Sequence, residues 1–534
     1  MESILIYDTT LRDGTQGENI NFSSEEKVKI AKKLDELGVH YVEGGWPGSN
    51  NRDVRFFELA RKERFTHTRI TAFGATRKPG LAVADDANLN ALIESQTPAV
   101  AIFGKSWALH VEQVMGNTLA ENLTMISESV AFLKSHDKEV IYDAEHFFDG
   151  YQDNAAYACQ TLAAAVQGGA DCLVLCDTNG GSLPSQVQTI VSDVQEFLKS
   201  NGKTLRLGIH CHNDCGLAVA NSIAAVQAGV VMVQGTVNGY GERCGNADIT
   251  TIIPILGIKM NHPSIPVQNL ERIKSVSRFV SETANMIPQN NRPFVGRSAF
   301  AHKGGIHVNA IMKVPRAYEH MDPSLVGNKR RVLVSDMSGK SNVQYKAREM
   351  GVELGCNDQD CRQIVSEIKT LEDRGYQFDV AEGSLKILLE KFTQQHTPLF
   401  DLESFRVTIE KDKDQPCSAH ATIKIRVDDK QEITAAEGYG PVSALDNALR
   451  KALGKFYPNL EVMRLVDFKV RVIDGREGTA ARVRVLIESR DHEDIWTTIG
   501  VSEDIIEASW HALADSFQFK LAKALETKEG NTTP

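Results

Sequence analysis

Two histidines separated by one residue stand at the end of an apolar run. They are His210 and His212, in the segment His-Cys-His-Asn-Asp that ends at residue 214. Side chains of a strand alternate between its two faces, so both imidazoles project to one side and Cys211 to the other. Such a pair can hold a divalent metal ion, and it can equally be two strand histidines with ordinary hydrogen-bond partners.

A second polar segment, Asp8-Thr-Thr-Leu-Arg-Asp-Gly14, follows the first apolar run. Within it, Asp13 offers a carboxylate to a metal ion, and Arg12 offers a permanent positive charge to a substrate carboxylate. Asn246 ends a glycine-containing segment that begins at residue 238, and it offers a carbonyl oxygen. The glycine spacing there resembles a dinucleotide-binding motif, but the βαβ context and the later acidic residue of that motif are missing.

Eight apolar runs of strand length alternate with segments of helical periodicity. Eight such units in about 250 residues are what a (β/α)8 TIM barrel requires. The predicted strands are residues 3–7, 40–43, 69–73, 99–103, 139–142, 171–175, 206–210 and 230–235. The helical segments between them include residues 24–37, 51–64, 119–134, 155–167, 185–199 and 216–228.

Polar clusters recur after nearly every predicted strand. In a (β/α)8 barrel, catalytic residues gather at the carboxyl ends of the strands. A doubly wound open sheet would instead concentrate them at one switch point. The sequence therefore predicts a site at the mouth of a barrel, with clusters at residues 9–13, 43–46, 143–146, 177–179, 210–214 and 238–246.

Composition narrows the classes of partner. The chain has 534 residues, 42% of them hydrophobic, which is enough for two or three packed domains. A net charge of -11 without a basic stripe argues against nucleic acid. No apolar run reaches the roughly 18 residues of a membrane span. Nine cysteines without a recognisable secretory leader predict reduced thiols in a cytoplasmic protein.

Three segments resemble the motifs of the DRE-TIM metallolyases, in the acetyl-CoA-dependent branch of the 2-isopropylmalate, homocitrate and citramalate synthases. They are residues 8–16, 210–212 and 238–246, and the similarity covers nearly the whole chain. Thr15 and Trp46 depart from the residues usual in 2-isopropylmalate synthases and favour the citramalate-forming group. For that group the resemblance implies condensation of acetyl-CoA with pyruvate and thioester hydrolysis, giving (R)-citramalate and CoA as the first step of a route to isoleucine.

The resemblance also implies a ligand set for a divalent ion, Mn2+, Mg2+ or Zn2+. The reasoning from residue types agrees for three of the ligands and allows the fourth. The implied ligands are Asp13, His210, His212 and Asn246.

Further roles are carried over from the family to matching positions. Arg12 would stabilise the oxygen that becomes negative during condensation. Thr178 resembles the hydroxyl donor to the keto-acid carboxylate, and a helix-capping threonine is its alternative interpretation. Glu145 matches an active-site glutamate that orients the thioester or relays a proton, and a solvated acid at a strand end is the alternative. His307 and Tyr318 match the family's catalytic histidine and tyrosine, which lie in a small helical subdomain.

The C-terminal region contains an imperfect repeat. Residues 421–427 resemble residues 481–487, and each copy leads through a glycine, Gly440 or Gly500, into an amphipathic helix, predicted over 442–456 and 504–525. This predicts a pseudo-symmetric α+β module. It is similar to the family's regulatory dimer domain, which implies a homodimer with isoleucine as feedback inhibitor. A dimerisation module that binds no ligand is the alternative.

The resulting hypothesis is a TIM-barrel domain over residues 1–262, helical lid and linker subdomains over 263–398 and a C-terminal regulatory domain over 399–534. Three other functions stay open. A 2-isopropylmalate synthase would use 2-ketoisovalerate. A non-haem iron oxygenase also uses two histidines and one carboxylate. A barrel that has lost catalysis would serve only in binding or regulation.

Overall fold

The chain folds into two compact units. The computed structural model describes residues 3–203, 205–354, 358–393, 395–414, 416–473, 481–492 and 494–530. One unit contains residues 1–300 and 321–329, and the other contains residues 301–320 and 330–534. Among the described residues, no helix has both the length and the apolar character needed to cross a membrane.

The first unit is built on a closed barrel of eight parallel strands, as the sequence predicted. Its last strand pairs with its first, with Tyr7 opposite Gln234. The strands are β1 (Leu5–Asp8), β2 (Tyr41–Gly45), β3 (Arg69–Ala75), β4 (Ala99–Lys105), β5 (Glu139–Glu145), β6 (Cys172–Asp177), β7 (Arg206–Cys211) and β8 (Met232–Gly235).

Helices follow the barrel strands. They are α1 (Ser24–Leu37), α2 (Asn51–Ala60), α3 (Ala87–Glu94), α4 (Leu119–Lys134), α5 (Phe147–Gly168), α6 (Pro184–Ser200), α7 (Ala218–Gln227), α8 (Ile249–Pro254) and α9 (Ile273–Thr283). Local sequence sets their ends: Ser23 and Glu26 form a reciprocal capping box at the start of α1, and Gly38, with φ of 96°, ends it.

The prediction for α5 was too short. The helix begins at Phe147 rather than at residue 155, and Asn154, with φ of -149° and ψ of 85°, interrupts it. This kink breaks the 3.6-residue periodicity, so the sequence pattern reveals only the part of α5 that follows Asn154.

Two hydrophobic clusters hold the barrel. A large one lies between the strands and the surrounding helices. A second one fills the barrel interior and includes Tyr41, Ile141, Val174 and Met232. Parallel strands that are covered on both faces in this way leave their carboxyl ends as the place where polar side chains can gather.

The second unit begins with a two-stranded parallel pair and a group of helices. These elements are β9 (Ala301–His302), α10 (Gly305–Lys313), β10 (Arg331–Val332), α11 (Lys340–Glu349), α12 (Asp358–Asp373) and α13 (Glu382–Phe392). Two antiparallel sheets with one helix each follow: β11 (Asp401–Glu410), β12 (Ser418–Val427), β13 (Lys430–Gly438) and α14 (Pro441–Leu453), then β14 (Arg464–Val472), β15 (Val483–Arg490), β16 (Ile495–Ser502) and α15 (Ile505–Gly530).

The predicted internal repeat is present, and its two copies share the same irregularity in strand register. The first strand of each sheet has a register shift at the corresponding place, after Leu402 and after Leu465. Each sheet also contacts its helix through one threonine hydroxyl. Thr434 donates to the Ala448 carbonyl at 2.8 Å, and Thr498 donates to the Ala512 carbonyl at 2.7 Å.

The residue-level alignment of the two copies was wrong. Ile423 pairs with Thr434, and Ile487 pairs with Thr498, so Ile423 corresponds to Ile487. The sequence comparison had matched Ile423 with Val483. Strand side chains alternate with period two, so a shift of four residues leaves the buried and exposed faces unchanged, and alternation alone does not define the register.

The role expected for Gly500 was wrong too. Gly440 directly precedes α14 as predicted, but Gly500 lies inside β16. A Cβ atom at residue 500 would lie 1.9 Å from the Ala508 carbonyl oxygen of α15. Gly500 therefore permits close packing between helix and sheet rather than a turn.

We expect Gly500→Ser to destabilise the second unit, because the added atoms would force α15 away from β16. Overpacking of this kind costs about 1–3 kcal/mol. The measurement is thermal unfolding. Gly440→Ser is the matched control, since nothing lies within 4 Å of its Cβ position. Equal unfolding temperatures for the two variants would contradict the close-packing role.

Candidate active site

Three side chains converge at the carboxyl ends of the barrel strands. Asp13, His210 and His212 are buried, and one ligand atom from each lies within 4.8 Å of the others. The two Nε2 atoms are 3.3 Å apart, and His210 Nε2 is 3.2 Å from Asp13 Oδ2. The structure thus brings together three of the four predicted metal ligands, which the sequence places on two distant segments.

The pKa shifts of His212 and Asp13 suit metal binding, whereas Asp13, against the effect of burial, raises the pKa of His210. Burial, aided by the neighbouring His210, lowers the pKa of His212 to about 4, so its imidazole is neutral at neutral pH. Although burial opposes ionisation of Asp13, the Arg12 guanidinium holds the pKa of that carboxyl well below its usual range. A neutral imidazole and an ionised carboxylate are the forms that ligate a cation.

Asn246 lies beside this group. Its backbone forms a bridge with His212. Its Nδ2 donates to the Tyr240 carbonyl at 3.2 Å, whereas its buried Oδ1 has no hydrogen-bond partner among the described residues. An unpaired buried oxygen costs about 1–3 kcal/mol, which ligation of a cation would offset. Two imidazoles, a carboxylate and an amide oxygen fit Zn2+, Mn2+ or Mg2+.

Arg12 is fixed by a fully buried carboxylate that sequence reasoning did not single out. Glu43 accepts a hydrogen bond from Arg12 Nε at 2.5 Å and another from the Tyr7 hydroxyl at 2.6 Å. The guanidinium carbon also lies 3.8 Å from the centre of the Phe73 ring. A paired and stacked arginine retains its charge and one orientation in the barrel interior.

A cavity of about 210 Å³ opens onto these groups. Arg12, Asp13, Glu145, Thr178, His210 and His212 all line it. Its apolar wall contains Trp46, whose ring meets those of Phe73 and Phe103 edge-on at 5.7 Å each. Asn246 lines a neighbouring cavity of about 1080 Å³ instead. The small cavity can therefore hold a compact anion with one small apolar group.

Thr178 and Glu145 lie on one side of the small cavity. His146 has φ of 56° and ψ of 34° and donates its backbone N–H to Thr178 Oγ1 at 2.9 Å. A hydroxyl that accepts in this way still has its own proton to donate. The helix after Thr178 starts at Pro184, so Thr178 does not cap it. Glu145 forms an ion pair with Lys105, which sequence reasoning had not paired with it.

The structure places His307 and Tyr318 in the second unit, next to each other. Their rings stack with centroids 4.4 Å apart. The chain next to Tyr318 is anchored by Glu319, which accepts from Arg330 Nε and Nη2 at 2.5 Å each. Bidentate pairs of this kind fix geometry, and the sequence pattern did not reveal this one.

Comparison with known proteins identifies three successive family models in the chain. Residues 3–280, more than half of the chain, match the HMGL-like family. Residues 294–376 match the homocitrate synthase post-HMGL domain-like family, and residues 379–521 match the LeuA allosteric (dimerisation) domain. The chain belongs to the α-isopropylmalate/homocitrate synthase family. The resemblance drawn from residues 8–16, 210–212 and 238–246 is thereby confirmed.

Curated members of the α-isopropylmalate/homocitrate synthase family align with this chain over its full length. The (R)-citramalate synthases of Aquifex aeolicus and Geobacter sulfurreducens are each 50% identical, over 98% of this chain and 98% and 99% of theirs. The 2-isopropylmalate synthase of Methanocaldococcus jannaschii is 30% identical, over 98% of this chain and 95% of its own. The chain is thus more similar to these citramalate synthases than to that 2-isopropylmalate synthase.

We expect Asp13→Ala and His210→Ala to abolish tight binding of Zn2+ or Mn2+, because each removes one of the converging ligands. Metal content after dialysis and a chelator titration measure this. His136→Ala is the control, since His136 is an exposed histidine outside the site. Stoichiometric metal in either ligand variant would contradict the assignment.

Proposed function

We propose that this chain condenses acetyl-CoA with pyruvate and hydrolyses the thioester, releasing (R)-citramalate and CoA. The observation that carries the proposal is the 50% identity to (R)-citramalate synthases over 98% of the chain. A small cavity beside a group of converging metal-ligand atoms supports it independently. The family assignment supports neither an iron oxygenase nor a barrel that has lost catalysis.

Asp13, His210, His212 and Asn246 would hold the divalent ion. The ion held there would supply Lewis-acid chemistry towards the keto group of the acceptor. Arg12, held by Glu43, lies at 3.5 Å from Asp13 and faces the same cavity. Its guanidinium stabilises the oxygen that becomes negative as the new C–C bond forms. The Thr178 hydroxyl donates a hydrogen bond to the keto-acid carboxylate.

His307 is the proposed general base. It removes a proton from the methyl group of acetyl-CoA, and the resulting enolate carbon attacks the keto carbon, whose π-electron pair passes to its oxygen. Tyr318, stacked on His307, orients the imidazole. Glu145, charge-paired with Lys105, orients the thioester or relays a proton. The alkoxide takes up a proton, which balances the one removed from the methyl group, and water then cleaves the thioester and releases CoA.

The preference for pyruvate rests on the identity to (R)-citramalate synthases, and the small cavity offers an apolar wall to the substituent of the keto acid. The volume of the cavity is about 210 Å³, and the rings of Trp46, Phe73 and Phe103 form its apolar wall. The methyl group of pyruvate is the smallest alkyl substituent that a 2-keto acid can present to this wall. The second candidate is a 2-isopropylmalate synthase, favoured by family members that are 30–31% identical to this chain.

The LeuA allosteric (dimerisation) domain over residues 379–521 supports a dimer. We propose a cytoplasmic homodimer that makes citramalate for isoleucine synthesis, with isoleucine as feedback inhibitor. Inhibition from a separate domain requires that isoleucine bind the active and inhibited states with different affinities.

Pyruvate should have the highest kcat/KM in a CoA-release assay with pyruvate, 2-ketobutyrate, 2-ketoisovalerate and 2-oxoglutarate tested side by side. One extra methylene group changes the activation free energy that discriminates two substrates by only about 1–3 kcal/mol, so slow turnover of 2-ketobutyrate is expected. Phe103→Ala should enlarge the cavity and so reduce the difference in kcat/KM between pyruvate and 2-ketobutyrate. A preference for 2-ketoisovalerate would assign the chain to leucine synthesis instead.

His307→Ala should lower kcat by roughly 10²–10⁴-fold, the usual contribution of a general base. The same variant should lose exchange of the acetyl-CoA methyl protons with D2O. His420→Ala, which removes a partly exposed histidine of the same unit, is the control and should keep both properties. Wild-type exchange in His307→Ala would assign the base elsewhere.

Isoleucine should inhibit the full chain, whereas leucine and valine should act weakly or not at all. A coupling of about 1–3 kcal/mol changes the apparent affinity for pyruvate or acetyl-CoA about 5-fold to 150-fold. The measurement is initial rate against substrate concentration with each amino acid present. If none of the three amino acids inhibits the enzyme, the LeuA allosteric (dimerisation) domain serves only in dimerisation.

A further inference from the structure

A buried glutamine lies next to His210 and was not among the predicted site residues. Gln234 of β8 is the register partner of His210 on the neighbouring strand β7, so their side chains enter the barrel interior side by side. Gln234 is fully buried, and its Oε1 lies 2.9 Å from His210 Nδ1. The ring nitrogen that faces away from Asp13 thus has one defined partner.

The orientation of this amide is itself fixed. Gln234 Nε2 donates to Asp143 Oδ1 at 3.0 Å, from strand β5. A carboxylate oxygen accepts hydrogen bonds, so the amide nitrogen faces Asp143 and the amide oxygen faces His210. An amide oxygen only accepts, and the proton between it and His210 therefore belongs to Nδ1. Nε2, the atom directed at Asp13 and His212, is then the ring nitrogen left to ligate a cation.

Packing alone does not require polar side chains at the positions of Asp143 and Gln234. Other interior positions of the barrel, Ile141, Val174 and Met232, are filled by apolar side chains. Burying a carboxyl and an amide carries a desolvation cost that such side chains avoid. The cost is offset here by hydrogen bonds that end on His210.

We propose that Asp143 and Gln234 are positioning residues that act through His210, fixing the tautomer and ring orientation that present Nε2 to the metal ion. The inference rests on the proposed metal-dependent function and deepens it. Ligating histidines commonly need such a partner on the second ring nitrogen, and its removal typically weakens metal binding or activity 10-fold to 100-fold. Asp143 acts on the ligand His210 indirectly, through the amide of Gln234.

The test measures Zn2+ affinity by chelator competition in Gln234→Leu, Asp143→Leu and Asp143→Asn. The two leucine variants should bind Zn2+ about 10-fold to 100-fold more weakly, because His210 loses its fixed acceptor. Asp143→Asn keeps an acceptor oxygen for Gln234 and should bind nearly as the wild type does. Met232→Leu, on the same strand and two residues away, is the matched control and should bind as the wild type does.

A second measurement needs neither metal nor activity. Nitrogen-15 NMR of the metal-free wild type should show a proton on His210 Nδ1, whether or not Nε2 also carries one towards Asp13, with the signal assigned by its loss in His210→Gln. A His210 without a proton on Nδ1 would overturn the inference, whether or not the leucine variants fold. So would undiminished Zn2+ affinity in a folded Gln234→Leu protein. A wild type that has the Nδ1 tautomer and binds no divalent ion would instead overturn the proposed function.

Discussion

The site depends on the buried ion pair between Arg12 and Glu43. Glu43 is completely buried on β2 and is stabilised by hydrogen bonds from Arg12 and Tyr7. The pair fixes the guanidinium beside Asp13, and that positive charge holds Asp13 ionised despite its burial. Removing one partner of a buried pair leaves an uncompensated charge, which typically costs 3–5 kcal/mol. In the proposed mechanism, Glu43 thus anchors the guanidinium that both keeps Asp13 ionised for metal binding and stabilises the negative oxygen of the condensation.

The barrel makes this arrangement possible because parallel strands end together. Residues on β1, β5, β7 and β8 are far apart in the chain, yet their side chains form one polar group above an apolar interior that includes Ile141, Val174 and Met232. Some of these polar side chains have partners from other strands, as Gln234 has in His210 and Asp143. Networks of this kind hold side chains in single orientations when every member is satisfied.

Much of this was predictable from the sequence, for physical reasons. Eight alternating runs defined the barrel, and the spacing of His210 and His212 placed both imidazoles on one strand face. Gln234 was not predicted, and Glu43 was predicted only as part of a polar cluster, because the importance of both residues lies in contacts across strands, which no local spacing encodes. The repeat was recognised but misaligned by four residues, since strand alternation is unchanged by an even shift. The roles of His307 and Tyr318 came from family resemblance alone and stay predictions.

The central claim is that Asp13, His210 and His212 form a metal centre that faces the substrate cavity beside Arg12. Its most direct test is anomalous diffraction from crystals of the full chain grown with Mn2+ and pyruvate. The account predicts one strong Mn2+ peak per chain, bonded to both histidine Nε2 atoms and to the Asp13 carboxylate, with pyruvate next to Arg12. A Mn2+ peak elsewhere, or pyruvate bound away from these four residues, would contradict it.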